Sequence, residues 1–237
     1  MEWTDNTPEV KISKVLLNKQ VYNILFDWIV EDRLKPGTKL SVAKLSEELG
    51  VSRSPVAAAL SSLERDGYLE IKPQYGTFVR ELTFEELDVI YQARAALERV
   101  VVLCATRKAS HRRLMEYRQR FEAYQNMQTF TEGHLREIFD LDIELHNYFA
   151  EFLPEVVCKE YTNICNLTRR SRLLNLNHSM QNKSSSFVSE NIVVHIKIID
   201  AMLQGDVGMA ISLVEEDVLS TRDNVLKIKT FSAPGGH

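Results

Sequence analysis

Cysteine is scarce in this chain. Three residues, Cys104, Cys158 and Cys165, stand among 237. An odd number without close pairing suggests neither a disulfide framework nor a zinc knuckle and points to a reducing compartment. Long apolar runs are lacking too. None approaches the roughly 18 residues of a membrane helix, so no membrane partner is expected. The opening MEWTDNTPEV is acidic and has no apolar core, so no secretory leader is expected and the cytoplasm is the expected location. Internal repeats and low-complexity segments are missing. An excess of positive charge is missing as well, since the net charge is -4. That argues against a general nucleic-acid binder, although distribution matters more than the sum.

What is present is an ordinary globular composition, 44% hydrophobic and 26% charged. A length of 237 residues favours two domains. Residues 1–80 hold 11 Lys/Arg against 11 Asp/Glu, so the whole negative excess lies in the rest of the chain. The pattern changes near VRELTFEEL. Short helices and a hairpin precede it, and continuous helix follows. Expected boundaries are 1–80, 81–230 and a disordered tail at 231–237. The expected fold is mainly α, with a winged helix-turn-helix followed by an all-helical bundle.

In the first region, Leu17, Val21, Ile24, Leu25, Trp28 and Ile29 recur at helical spacing and predict a helix over 13–32. Pro36 and Gly37 form a turn signal. Ser41 is an expected N-cap, Val42, Leu45 and Leu49 an apolar stripe, and Gly50 a stop. A third helix begins at Ser52 or Ser54, tolerates Pro55 in its first turn and ends by Gly67. YLEI and TFVREL alternate around KPQYG and predict a hairpin. Helix, helix, turn, helix, hairpin is the order of a winged helix-turn-helix. Its second paired helix enters the major groove by its N-terminal end. Arg53 stands there, and a guanidinium can donate two hydrogen bonds to guanine. Ser52 and Ser54 offer donors to phosphate. Lys44, Lys72, Gln74 and Gly76, with Lys39, are further candidate DNA contacts. A protein-docking module with the same geometry is the alternative, and it predicts no salt-dependent affinity for DNA.

The second region predicts six helices, over 84–108, 111–127, 131–152, 155–176, 185–204 and 207–228, with Thr83 and Glu86 as a capping box. Four of them carry polar groups on their apolar side. Arg94 interrupts the stripe of Leu87, Ile90, Tyr91, Leu97 and Val101. Asp142 and His146 lie four residues apart, beside Ile138, Leu145, Phe149 and Phe152. His195 joins Ile192, Ile199 and Met202. Asp217 follows Leu213 and Val214. Buried charge is costly without partners. Two carboxylates and two imidazoles suit a divalent metal, zinc or nickel. Arg94 suits an effector carboxylate. The internal alternative pairs Arg94 with Glu98 one turn on and Asp142 with a histidine. The other histidines, His111, His134, His178 and His237, read as surface.

The stretch from Val21 to Val79 resembles the winged helix of GntR-family bacterial regulators. The LKPG turn, LSEELGVSRSPV, the run from Ala59 to Gly67 and the closing wing strand carry the likeness. The helical region resembles the FCD effector domain of the FadR-like branch, through RAALE, Asp142 with His146, and the stretch around His195. The resemblance implies a ligand-responsive regulator, expected to be a repressor and not an enzyme. It would bind a palindromic double-stranded operator as a homodimer and sense a small carboxylate effector. A metal-dependent enzyme built on the bundle is the alternative, but no separate general base is evident. Two departures stand out. Family members usually carry arginine after Pro-Val, where this chain has Ala57. Metal-binding members use one aspartate and three histidines. The first three positions fall on Asp142, His146 and His195, and the last histidine's position falls on Asp217.

Overall fold

The computed structural model describes residues 8–181 and 186–228. The proposed tail 231–237, with His237, and the start of the helix expected from residue 185 lie outside them. The chain divides into two compact units, Met1–Leu82 and Thr83–His237.

In the first unit α1 (Pro8–Val30), α2 (Val42–Leu49) and α3 (Arg53–Arg65) accompany strands β1 (Lys39–Leu40), β2 (Leu69–Lys72) and β3 (Gly76–Val79). Val21, Leu25 and Ile29 of α1 are buried at helical spacing, with Val56, Leu60 and Leu63 of α3. Phe26 sets its ring edge-on to Tyr68, with centroids 5.2 Å apart. Ile24, expected inside, is instead exposed, because it lies a quarter-turn off the Val21–Leu25 face. The termini follow local chemistry. The Ser41 hydroxyl accepts from the Lys44 amide, and Gly50 closes α2 at φ 64°, a left-handed cap that glycine reaches without steric cost.

The sheet has three antiparallel strands in the order β1-β3-β2. The hairpin was expected, but β1 was not. Two residues are too few to show alternation, and Lys39 and Leu40 become strand only by pairing with Phe78 and Thr77. At the wing tip Tyr75 donates its amide to the Lys72 carbonyl, and Gln74 adopts φ 66°.

The second unit is helical throughout its described residues: α4 (Phe84–Thr106), α5 (His111–Gln125), α6 (Glu132–Ala150), α7 (Glu155–Gln181), α8 (Ser186–Leu203) and α9 (Val207–Leu226). Thr83 and Glu86 form the expected capping box. Thr131 and His134 form an analogous one at α6. In α9, Ala210, Val214, Asp217, Val218, Thr221 and Val225 are buried at three- and four-residue steps, so one face turns inward. α4 packs along α9 and α5 along α8. The core formed by these faces includes Val101, Phe121, Leu141, Leu145, Phe149, Ile192 and Ile199. Among the described residues, no helix is long and apolar enough to cross a membrane.

Candidate functional site

Two sites of opposite character emerge. The first is the outer end of α3. Ser52 takes the N-cap position with extended backbone, and its side chain makes no capping bond. Its hydroxyl is therefore not used within the helix, and the first amides of the helix have no intrahelical acceptor. Ser52, Arg53 and Ser54 are all exposed, while Pro55 and Val56 turn into the core. Among the described residues Arg53 has no acidic partner. Lys44 is exposed on α2, and Lys39 on β1. Gly76 adopts φ +111°, and a Cβ there would stand 3.2 Å from the Lys39 side chain, so glycine brings β3 close beneath that lysine. Lys72 differs from the other candidates. It pairs with Glu70 at 2.9 Å, which neutralises part of its charge. Of the three alanines, Ala59 is buried, Ala58 half-buried and Ala57 exposed.

The second site is the polar centre of the helical unit. Asp142, His146 and His195 are buried, and each offers a ligand atom within 4.8 Å of the other two. His146 Nε2 stands 3.8 Å from Asp142 Oδ1 and 3.8 Å from Asp217 Oδ2. His195 Nε2 stands 3.6 Å from Asp142 Oδ2. Asp217 is buried beside this trio but not within the same span of all three, and its Oδ1 accepts from the Asn191 amide at 3.3 Å. Phe121 stacks on His195, with ring centroids 4.9 Å apart.

The donor chemistry fits a metal ion. Both Nε2 atoms, and the His146 Nδ1 as well, are buried without a hydrogen-bond partner. An unpaired buried polar atom costs about 1–3 kcal/mol, so three on two neighbouring rings need a reason. His195 Nδ1 lies 2.7 Å from the Asn191 carbonyl, which can only accept, so Nδ1 carries the proton and Nε2 keeps its lone pair when the ring is neutral. Ligands bound at about 2.1 Å around a tetrahedral ion stand roughly 3.4 Å apart. The separations of the two imidazoles from Asp142, 3.8 and 3.6 Å, need only a small contraction.

Charged side chains flank the donors. Arg94 is 2% exposed and Glu98 fully buried, and they pair at 3.4 Å. Arg94 also donates to Thr168. Arg172 of α7 is hydrogen-bonded to Asp142. Burial alone would raise the Glu98 carboxyl, but the His146 ring and Arg94 more than offset it and hold it at about 2. Burial would likewise raise Asp142, but Arg172 and the two imidazoles hold it well below the usual carboxylate range. Burial would lower His146, but Glu98 and Asp142 raise it.

The internal alternative, Arg94 paired with Glu98, is present, and Arg94, the expected effector contact, lines neither cavity beside the site. Arg172, which sequence reasoning did not single out, does. A cavity of about 40 Å³ touches Phe139, Asp142, Arg172 and Asn175. A larger one of about 420 Å³ lies between α8 and α9 and reaches Asp217. Phe187, Asn191 and Thr221 line both.

A winged-helix unit with an exposed arginine at the front of α3, followed by a helical unit with buried carboxylate and imidazole donors, is the build of a two-part regulator. Residues 17–79 match the family of bacterial regulatory proteins called gntR, and residues 89–218 match the FCD domain. The chain belongs to the GntR family, in the branch that carries an FCD domain. It is 31% identical over 134 residues to the uncharacterized HTH-type transcriptional regulator YdhC of Bacillus subtilis (strain 168), covering 56% of this chain and 59% of that one. It is 28% identical over 135 residues to the HTH-type transcriptional repressor RspR of Escherichia coli (strain K12), covering 57% and 58%. The match thus spans about three fifths of the length of these two relatives. With the HTH-type transcriptional regulator McbR of E. coli (strain K12), 31% identity extends over 63% of this chain and 67% of that one. The solved structure of E. coli McbR/YncC has the same fold, with a TM-score of 0.71 at 21% identity over 88% of this chain and 96% of that one. A putative GntR regulator from Rhodococcus sp. RHA1 gives 0.67 at 20% identity over 88% and 97%.

Proposed function

We propose that this protein is a ligand-responsive transcriptional repressor that acts in the cytoplasm, binds a palindromic operator as a homodimer and senses a small carboxylate at a divalent metal in its helical unit. The observation that carries the reading is the presence in one chain of an exposed Arg53 at the front of α3 and the buried Asp142, His146 and His195 cluster.

In the head, Arg53 reads guanine, while Ser52, Ser54, Lys44 and Lys39 hold phosphates. Gln74 and Gly76 present the wing to the backbone, with Lys72 a weaker contact because Glu70 competes for it. In the helical unit Asp142, His146, His195 and Asp217 would hold zinc or nickel, which would supply a positive centre for an anion. Charge balance supports an acidic effector. Asp142, Asp217 and Glu98 face Arg94 and Arg172, which leaves one negative charge, and a proton on His146 cancels it. A divalent cation in place of that proton leaves one positive charge, which a carboxylate balances. Arg172 lines the small cavity and is the direct contact, whereas Arg94 adds its charge from behind Glu98. The effector must favour one arrangement of the protein over another by its own differential affinity.

The test is to select duplexes from random DNA with the purified protein and titrate the winner at several salt concentrations. Metal content is then measured on untagged protein, followed by zinc and nickel titration after chelation. The expected result is a palindromic site with steep salt dependence, and one ion per chain. His146→Ala should abolish uptake and Asp217→His should tighten it. Salt-independent or absent DNA binding would reject the regulator reading, and a wild type that takes up no stoichiometric metal would reject the sensor chemistry.

A further inference from the structure

His146 and His195 are held by different means. The His195 Nδ1 proton goes to a main-chain carbonyl one turn earlier on its own helix. His146 has no such arrangement. Its Nδ1 lies 3.0 Å from Glu98 Oε1, a carboxylate on a different helix and 48 positions earlier in the chain, a contact at ion-pair distance that is not aligned as a hydrogen bond. Glu98 is fully buried and is gripped from two other directions. Tyr161 of α7 donates its hydroxyl to the same Oε1 at 2.9 Å, and Arg94 reaches it at 3.4 Å. Its second oxygen, Oε2, has no hydrogen-bond partner and no exposure.

We infer that Glu98 is a positioning residue that fixes the tautomer and orientation of His146, so that the His146 Nε2 lone pair faces Asp142 and Asp217. This rests on the reading of Asp142, His146, His195 and Asp217 as metal donors. The chemistry follows from what a carboxylate can do. Glu98 pairs with Arg94 and accepts from Tyr161, so it meets His146 as a carboxylate, and a proton on Nδ1 is the one that makes the 3.0 Å contact attractive. A neutral ring with its proton on Nδ1 has its lone pair on Nε2. That atom is unpartnered and stands 3.8 Å from both aspartates. An ionised acceptor also raises the basicity of the opposite nitrogen, which strengthens it as a ligand. Arg94 and Tyr161 have a part here as well. They keep Glu98 in one rotamer and offset the burial of its charge, so α4 and α7 both contribute to the direction of one ring on α6. The site therefore depends on two residues of RAALE that would touch neither ion nor effector.

The experiment compares wild type, Glu98→Gln and Glu98→Met in two readouts. The first needs no metal. Nitrogen NMR of the histidine rings in chelated protein, at a pH where His146 is neutral, reports which nitrogen carries the proton. Wild type and Glu98→Gln, which retains an acceptor, are expected to show the Nδ1–H form, and Glu98→Met is expected to lose it. The second readout is affinity for zinc and for nickel, by competition with a chromophoric chelator. Glu98→Met is expected to bind about 10–100-fold more weakly and Glu98→Gln to stay within about tenfold of wild type. If Glu98→Met leaves Arg94 too destabilising for folding, the double variant Arg94→Met, Glu98→Met removes both charges and is measured in its place. An unchanged tautomer or an unchanged affinity in the methionine variant would overturn the role of Glu98 alone. A wild type with the Nδ1–H tautomer that binds neither ion would overturn the metal reading, and the purpose assigned to Glu98 with it.

Discussion

The two units place their functional charges in opposite settings. In the head, Arg53, Lys39 and Lys44 are exposed and, among the described residues, lack acidic partners. In the helical unit Arg94, Glu98, Asp142, His146, His195 and Asp217 are all buried, and each has a polar neighbour. An exposed charge contributes little to stability and is free to be spent on a partner. A buried charge is expensive alone, so function and folding there share the same residues. Substitutions in the head should change binding and leave stability intact, whereas substitutions in the helical centre should change both.

The largest expected effect tests the buried half of that contrast. Arg94→Ala would leave Glu98 buried without its guanidinium. Breaking one side of a buried pair typically costs about 3–5 kcal/mol. Urea unfolding followed through the helical unit should shift by that order, with head unfolding unmoved. A loss under 1 kcal/mol would show that His146 and Tyr161 suffice to hold Glu98.

Next comes the exposed half. Arg53→Ala should cost about 1–3 kcal/mol at the selected operator and relax the preference at one base pair, without changing the melting temperature. Unchanged affinity and base preference would remove Arg53 from the readout. A matching fall in stability would break the contrast itself.

A third test uses pH, because the head contains no histidine and the helical unit holds all six. Glu98 and Asp142 are held below their usual values. Their contribution to folding is therefore present above about pH 4, the unfolded carboxylate range, and is lost as pH falls. His146 is raised, so its contribution is full below about 6.5 and is lost as pH rises through its folded value. The metal-free helical unit should thus be most stable between about pH 4 and 6.5. Above that window the metal-loaded protein should hold its stability while the chelated one declines. Identical alkaline profiles with and without metal would place the ion elsewhere.

Legibility in the sequence followed the same divide. The caps at Ser41, Gly50 and Thr83 could be read because capping is local. Arg53 could be read because its place depends only on the start of α3. In the helical unit Asp142 and His146 were visible as polar residues on an apolar stripe, and so were His195 and Asp217. Their partners were not. Arg172 lies 30 positions from Asp142 and Glu98 lies 48 from His146, and no helical spacing links residues on different helices. Glu98 was visible only as the i+4 partner of Arg94, which hid its contact with His146. Strand β1 escaped for the same reason, since its two residues take their conformation from a partner nearly forty positions away.

The smallest expected effect falls at Ala57, where the chain departs from its family. Ala57 is one turn into α3, exposed, and on the same end of the helix as Arg53. Its neighbours Val56 and Ala59 are buried, so the helix is already anchored without it. A long side chain at an exposed helix position needs no repacking, and arginine is a good helix former. Ala57→Arg should therefore fold normally and add one phosphate contact. Each neutralised phosphate contributes about 0.9 to the slope of log affinity against log salt. The variant should bind more tightly at low salt, with a slope steeper by about that much, and the advantage should shrink as salt rises. An unchanged slope with normal folding would mean that Ala57 faces away from the backbone of the bound duplex. In that case its alanine reflects the approach of the helix and not a contact that this chain has given up.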